Sequence, residues 1–249
     1  MKRAVFAVLA FLSLLPSAIA AQGTAVMSDP VWGPRVRLTP FVGQAPTVSR
    51  NERWAVVNGA DVSVGDFDVD LGAGPAIGAS LELQVMNRFA LIGSGLFINR
   101  GQTREFSFID SEFFVSEGSN FLVGKLAAAL RLRESASEMQ LRQLTATIFA
   151  GPALLHEMPK DDPSVNPALL ESVTHWGVNF GVDAEIPMGQ GPLALQLGFE
   201  DFYTFWNTGE LAARNDRAFA GVGLTTESAL EADASHMILL RAGMSFRFR

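Results

Sequence analysis

Charged residues of both signs recur in this chain at alternate positions of otherwise apolar segments. Arg35 and Arg37 interleave with Val36 and Leu38, Glu82 with Leu81 and Leu83, and Lys125, Arg131 and Arg133 with Leu126, Leu130 and Leu132. Asp183 and Glu185 interleave with Val182, Ala184 and Ile186, Glu200 follows Phe199, and Arg241 and Arg247 interleave with Leu240, Ala242, Phe246 and Phe248. Facing one enclosed space, such groups either line an ion path or neutralise one another as a network that fills it. The filled network is the favoured reading and the gated path its alternative. A hydrolytic constellation is a second possibility, because His156, His175 and His236 all fall near segment ends and His236 follows Ser235. The strand phases place His156 and His236 on one face and His175 on the other, so no serine, histidine and acid share a face. Asp66, Asp68 and Asp70 alternate but lack the glycine and distal glutamate of a calcium loop, and they read as a solvated strand edge or loop. Gly93, Gly95 and Gly101 lack the strand-to-helix setting of a phosphate loop. With no cysteine, thiolate chemistry and disulfides are excluded. No catalytic residue, metal site or cofactor is therefore expected.

The elements that must position these charges are strands of period two. The last residues alternate most plainly, with His236, Ile238, Leu240, Ala242, Met244, Phe246 and Phe248 on one side and Arg241, Gly243, Ser245 and Arg247 on the other. Seven earlier segments follow, at 34–43, 72–85, 89–99, 120–133, 143–155, about 176–186 and 192–206. The sixth is the cleanest, setting Trp176, Val178, Phe180, Val182, Ala184 and Ile186 against Gly177, Asn179, Gly181, Asp183 and Glu185. Pro40 makes the first less regular, since proline cannot donate to a ladder. The connections alternate long and short. Long excursions leave at Gln44–Leu71, around Phe106–Gly118, at His156–Glu171 and at Asn207–Ala234, whereas Asn87, Ser137 and Gln190 mark short turns. Phe106, Phe108, Phe113 and Phe114 suggest a projecting hairpin, Asn166-Pro167 a short helix start, and Ser135 with Glu138 one capped turn. Eight strands with all long connections on one side predict an all-β, eight-stranded antiparallel transmembrane barrel. A bilayer covers its apolar outer faces, and Phe97, Phe121, Trp176, Tyr203 and Trp206 would form one aromatic girdle with Trp32, Phe89 and Phe248 at the other.

Composition agrees with this. The chain is 48% hydrophobic with a formal charge of −7, and its mean hydropathy is +0.21. Lys2 and Arg3 precede an apolar run of about twelve residues, too short to span, and Ala18-Ile19-Ala20 ends it with small residues. The expected organisation is a signal peptide at 1–20, a short tail at 21–33 that includes Trp32, and one barrel domain at 34–249. An acidic exported chain is not expected to bind nucleic acid. A soluble, lipocalin-like barrel with its leucines inside is the remaining alternative, opposed by the basic residues on the faces opposite the leucines.

The terminal strand resembles the closing strand of bacterial outer-membrane barrels, with Phe246 and Phe248 on its apolar face, although Arg249 follows where the pattern ends on the aromatic itself. More broadly the chain from residue 34 on resembles the eight-stranded OmpA, OmpX and OmpW-like group. That resemblance implies the outer membrane as location, lipopolysaccharide and the bilayer as surroundings, the barrel-assembly machinery as a partner reading Phe246 and Phe248, and a monomer. It implies a structural or surface-interaction role, with a small pore or a lipid A-modifying enzyme as alternatives.

Overall fold

The structure is a computed structural model that describes residues 35–58, 61–86, 88–108, 111–133, 144–160, 171–188, 192–220, 225–232 and 234–248. The expected signal peptide, the tail with Trp32, the Ser135 turn and the Asn166-Pro167 helix lie outside them.

Eight strands close on themselves. They are β1 (Arg35–Ala45), β4 (Gly74–Gln84), β5 (Phe89–Phe108), β6 (Ser111–Arg133), β7 (Thr145–Pro159), β8 (Val173–Pro187), β9 (Leu193–Phe205) and β11 (Ser235–Phe248). Each pairs antiparallel with the next, and β11 returns to β1 with Phe248 opposite Val36 and Phe246 opposite Leu38, so no edge is left inside the membrane. This is the closed all-β barrel that the alternation predicts. Two ladders are interrupted where proline removes a donor. Between β1 and β11 the pairing skips Thr39 and Pro40, and between β6 and β7 it skips Gly151 and Pro152, in each case without a change of register.

The alternation decides which face meets what. Val42, Ile77 and Trp176, all outward, are each more than 60% exposed, and Leu81, Leu122, Leu126, Leu154, Leu240 and Phe248 join them. An apolar surface of this extent on a soluble protein would drive association, whereas acyl chains cover it without cost. The soluble, ligand-enclosing alternative is thereby set aside. Two aromatics assigned to the girdle turn out to face inward. Phe121 is fully buried and Trp206 nearly so, because Phe121 shares the phase of Lys125 and Trp206 the phase of Phe202. Outward, the apolar belt gives way to Asn99, whose Oδ1 accepts from Lys160 Nζ at 2.6 Å, and to Thr174, whose Oγ1 contacts His156 Nδ1 at 2.9 Å.

The rims differ as expected. On one rim Met86 N donates to Phe89 O at 3.1 Å, Met188 N to Leu193 O at 2.9 Å and Arg247 N to Pro192 O at 2.9 Å, closing tight connections beside both ends of the described chain. On the other rim the excursions carry more structure than periodicity revealed. Strands β2 (Val48–Asn58), β3 (Asp61–Leu71) and β10 (Thr225–Ala232) extend the sheet in the order β10-β2-β3-β5. Below, β5 pairs with β4, and above, the same edge of β5 takes β3 from Leu71 opposite Gln102 to Asp66 opposite Ser107. The β5–β6 ladder continues to Phe108 opposite Ser111, a projecting hairpin whose phenylalanine side chains lie outside the described set.

A helix, α1 (Thr208–Ala220), precedes β10. Asn207 caps it, its Oδ1 accepting from Glu210 N at 3.3 Å. Leu211, Arg214 and Asn215, one face by their spacing, are buried. Outside, Arg217 Nε donates to Glu171 Oε1 at 3.0 Å, and this hydrogen bond holds the Glu171 carboxyl below its usual range.

Candidate functional site

The lumen has three tiers. At the short-turn rim, Arg37 and Glu82 are direct register partners on β1 and β4, and Arg37 Nη1 lies 3.3 Å from Glu82 Oε2. Arg37 also pairs with Glu185, Arg131 with Glu82, and Arg247 with Glu185, while Arg131 Nη1 donates to Gln84 Oε1 at 3.0 Å. Five strands are thus tied by one chain of alternating charge. Carboxylates shared between two cations in this way lose less to desolvation than isolated pairs do.

In the middle tier, Arg241 Nη2 donates to both oxygens of Asp183, at 2.8 and 2.7 Å. Its Nε lies 2.8 Å from Glu200 Oε1, an ion contact whose N–H does not point at the oxygen. Lys125 Nζ donates to the same Glu200 oxygen at 2.5 Å, and Gln196 Nε2 donates to Asp183 at 3.0 Å. The aromatic neighbours help, with Lys125 Nζ 4.3 Å from the centre of Phe149 and the Arg241 guanidinium 4.8 Å from that of Phe41. Glycine makes the crossing possible. Gly198 stands opposite Arg241 on one ladder and opposite Asp183 on the other, and a Cβ there would sit 2.8 Å from Arg241 Nε. Gly181 likewise stands between Phe149 and Glu200, and a Cβ on it would meet Phe149 Cζ at 2.6 Å.

Of the charges read from the sequence, the structure therefore brings Arg37, Glu82, Lys125, Arg131, Asp183, Glu185, Glu200, Arg241 and Arg247 into contact in the lumen. The side chains of Arg35 and Arg133 lie outside the described set. Phe246 and Phe248 face outward on the closing strand, more than a third exposed.

The tier at the long-loop rim was not anticipated. Phe41, Leu71, Ile98, Phe121, Leu155, Phe202, Trp206 and Leu239 form an apolar cluster that Leu211 of α1 completes. Around it, His175 Nδ1 accepts from Asn207 N at 3.0 Å, which leaves Nε2 to donate to Glu157 Oε2 at 3.2 Å. Arg214 of α1 brings Nη1 to 3.7 Å from Glu157. Trp206 packs edge-on to His175 at 4.7 Å and donates Nε1–H to Ser235 at 3.0 Å. Arg100, above the apolar belt, is fully buried and among the described residues makes one hydrogen bond, from Nη1 to Leu71 O at 3.4 Å. Burial alone pushes its guanidinium down to about 10, so it stays charged at neutral pH. Glu157 and Arg100 continue the inward phase of β7 and β5 past the ends assigned from sequence, and α1 announces itself by Asn207 and Glu210 at capping-box spacing. Those were the available signals.

Among the described residues the histidines do not assemble a triad. Ser235 faces inward under Trp206, whereas His236 faces outward, its Nδ1 2.6 Å from Asp201 Oδ2 and its ring beside Tyr203. Asp70 accepts from Ser49 Oγ at 2.6 Å, within the β2–β3 hairpin. Among the described residues no group of three or more histidine, aspartate or glutamate side chains is arranged to hold a metal ion.

No protein-family model matches the chain, and no curated protein matches it. Among solved structures, the outer-membrane protein OprG of Pseudomonas aeruginosa is similar at a TM-score of 0.55 and 7% identity, over 87% of this chain and 97% of that one. Neisserial surface protein A is similar at a TM-score of 0.40 and 9% identity, over 84% and 97% of the two chains. The outer-membrane protease OmpT of Escherichia coli is similar at 0.42 and 6%, over 91% and 99%. The last two likenesses are too loose to argue from, and the first speaks for fold alone. With the closed ladder and the apolar outer wall, it gives this chain the fold of an eight-stranded outer-membrane β-barrel.

Proposed function

We propose that this protein is a non-catalytic barrel of the outer membrane, a monomer whose occluded wall anchors a surface sheet that meets partners outside the cell. The observation that carries this reading is the lumen, spanned by interlocked charges in two tiers and overlaid at the long-loop mouth by an apolar cluster and a buried helix face. An eight-stranded interior is just wide enough for side chains to fill. Water and ions would have to displace paired charges to pass, so conduction carries the cost of breaking them. In the wild-type protein reconstituted in a planar bilayer, little steady conductance is expected. Large, stable single-channel currents would instead make the pore the better account.

The orientation follows from the rims. Tight connections at Met86 and Met188 suit the periplasmic side, and the β2–β3–β10 extension, the β5–β6 hairpin and α1 suit the outside, among lipopolysaccharide. The exposure of Phe246 and Phe248 on the seam-forming strand supports the reading that the assembly machinery recognises them before closure. Protease added to intact cells should cut in the excursions and spare Asn87, Ser137 and Gln190. Cleavage at those turns in unbroken cells would reverse the topology.

A further inference from the structure

We propose that the long-loop mouth of the barrel is a binding site for a small oxyanion, of the phosphate, sulfate or carboxylate class, built on Arg100 with Arg214 as second donor. Arg100 is fully buried, and among the described residues its Nε and Nη2 have no partner. Among the described residues nothing acidic is paired with it, and its single hydrogen bond, to Leu71 O, is a long one to a neutral group. A buried guanidinium left in this state is among the costlier arrangements a fold can hold, and burial at such a cost marks functional positions. Arg214 enters from α1 at the same cluster, since Leu71 accepts from Arg100 and Leu211 lies one turn before Arg214, and both leucines belong to it. Arg214 is also fully buried, and none of Nε, Nη1 and Nη2 has a hydrogen-bond partner. Glu157, 3.7 Å away, offsets one of the two cations and is itself engaged by His175. One positive charge and five nitrogen donors remain for a ligand whose oxygens accept in several directions. Bridging waters could satisfy the nitrogens, and Asn215 Oδ1, also unpartnered, is a group they could link to. They would leave the charge uncompensated.

The two arginines lie toward the long-loop rim, so the anion is either free in solution or carried on a headgroup, and the test separates these. The full-length barrel in a neutral detergent is heated in inorganic phosphate or in sodium chloride of equal ionic strength, and the compact fraction is followed on an unboiled gel. A third series contains phosphatidic acid in the micelle and no free phosphate. In the wild type, phosphate at about 100 times its half-saturating concentration should raise the ratio of compact to opened protein about 100-fold. In Arg100→Met, which keeps the volume and removes the charge, the response should vanish while stability in chloride is retained or increased. A response to inorganic phosphate assigns a free anion, and a response to phosphatidic acid alone assigns a headgroup. Arg214→Gln should weaken either response. No response in any series, or an equal response in Arg100→Met, would overturn the site. So would an Arg100→Met protein that opens earlier in chloride and shows no anion dependence, the result expected of a purely structural arginine.

Discussion

Glu200→Gln is expected to lower markedly the temperature at which the compact barrel opens on a detergent gel. Glu200 is fully buried and answers two cations through one oxygen, Lys125 at 2.5 Å and Arg241 at 2.8 Å. An amide keeps the shape and removes the charge, so Lys125 loses its ion pair and keeps the rings of Phe149 and Phe202, and Arg241 keeps its pair with Asp183. Breaking one partner of a buried pair costs about 3–5 kcal/mol, less where water enters. Asp183→Asn and Glu185→Gln should act in the same direction, since each removes a carboxylate shared by the network. The double variant Glu200→Gln with Lys125→Met is the informative control, because it removes the stranded cation together with its partner and should recover much of the loss. Unchanged heat resistance in Glu200→Gln would mean that these charges lie in bulk-like water, as in a channel.

Gly198→Leu is expected to be as damaging without changing any charge. The new Cβ would lie 2.8 Å from Arg241 Nε and 2.9 Å from its Cγ, so the arginine would have to leave the space between β11 and β8. Overpacking a filled interior costs about 1–3 kcal/mol. Here the loss of the Arg241–Asp183 hydrogen bonds adds to it. Gly124→Ala is the matched control, because nothing lies within 4 Å of a Cβ at Gly124. It should open at the wild-type temperature. A Gly198→Leu protein that resists heat like the wild type would show that the arginine has room to move, and that the middle tier does not fill the lumen.

Much of the barrel was legible because its rule is local. Period-two alternation assigns a face to each residue, and for Arg37, Glu82, Lys125, Asp183 and Arg241 the assigned face is the one observed. Carried to Phe121 and Trp206, the same rule gives the inward face. The expectation of a girdle, drawn from residue type, overrode it and was wrong at both positions. Strands β2, β3 and β10 were not legible, because what orders them is pairing over distance. Leu71 meets Gln102 and Thr225 meets Val57 across separations that no local period encodes. The mouth was missed for a related reason. Glu157 and Arg100 continue the alternation beyond the segments a bilayer requires, and Arg214 comes into contact with Glu157 only once α1 is docked.

The β5–β6 ladder, unbroken from Phe89 opposite Leu130 to Phe108 opposite Ser111, sets a mechanical property of the cell surface. At about 3.3 Å per residue, the part of β5 from Arg100 to Phe108 runs about 26 Å along the strand past the apolar belt. Because that part shares its hydrogen-bonded register with the membrane-embedded half, the arm is a spacer of fixed length, braced on its other edge by β3. A partner touching its tip would be held at a set stand-off from the bilayer, and a pull on the tip would pass to the flanking β4–β5 and β6–β7 ladders along their strands, the direction in which their hydrogen bonds resist together.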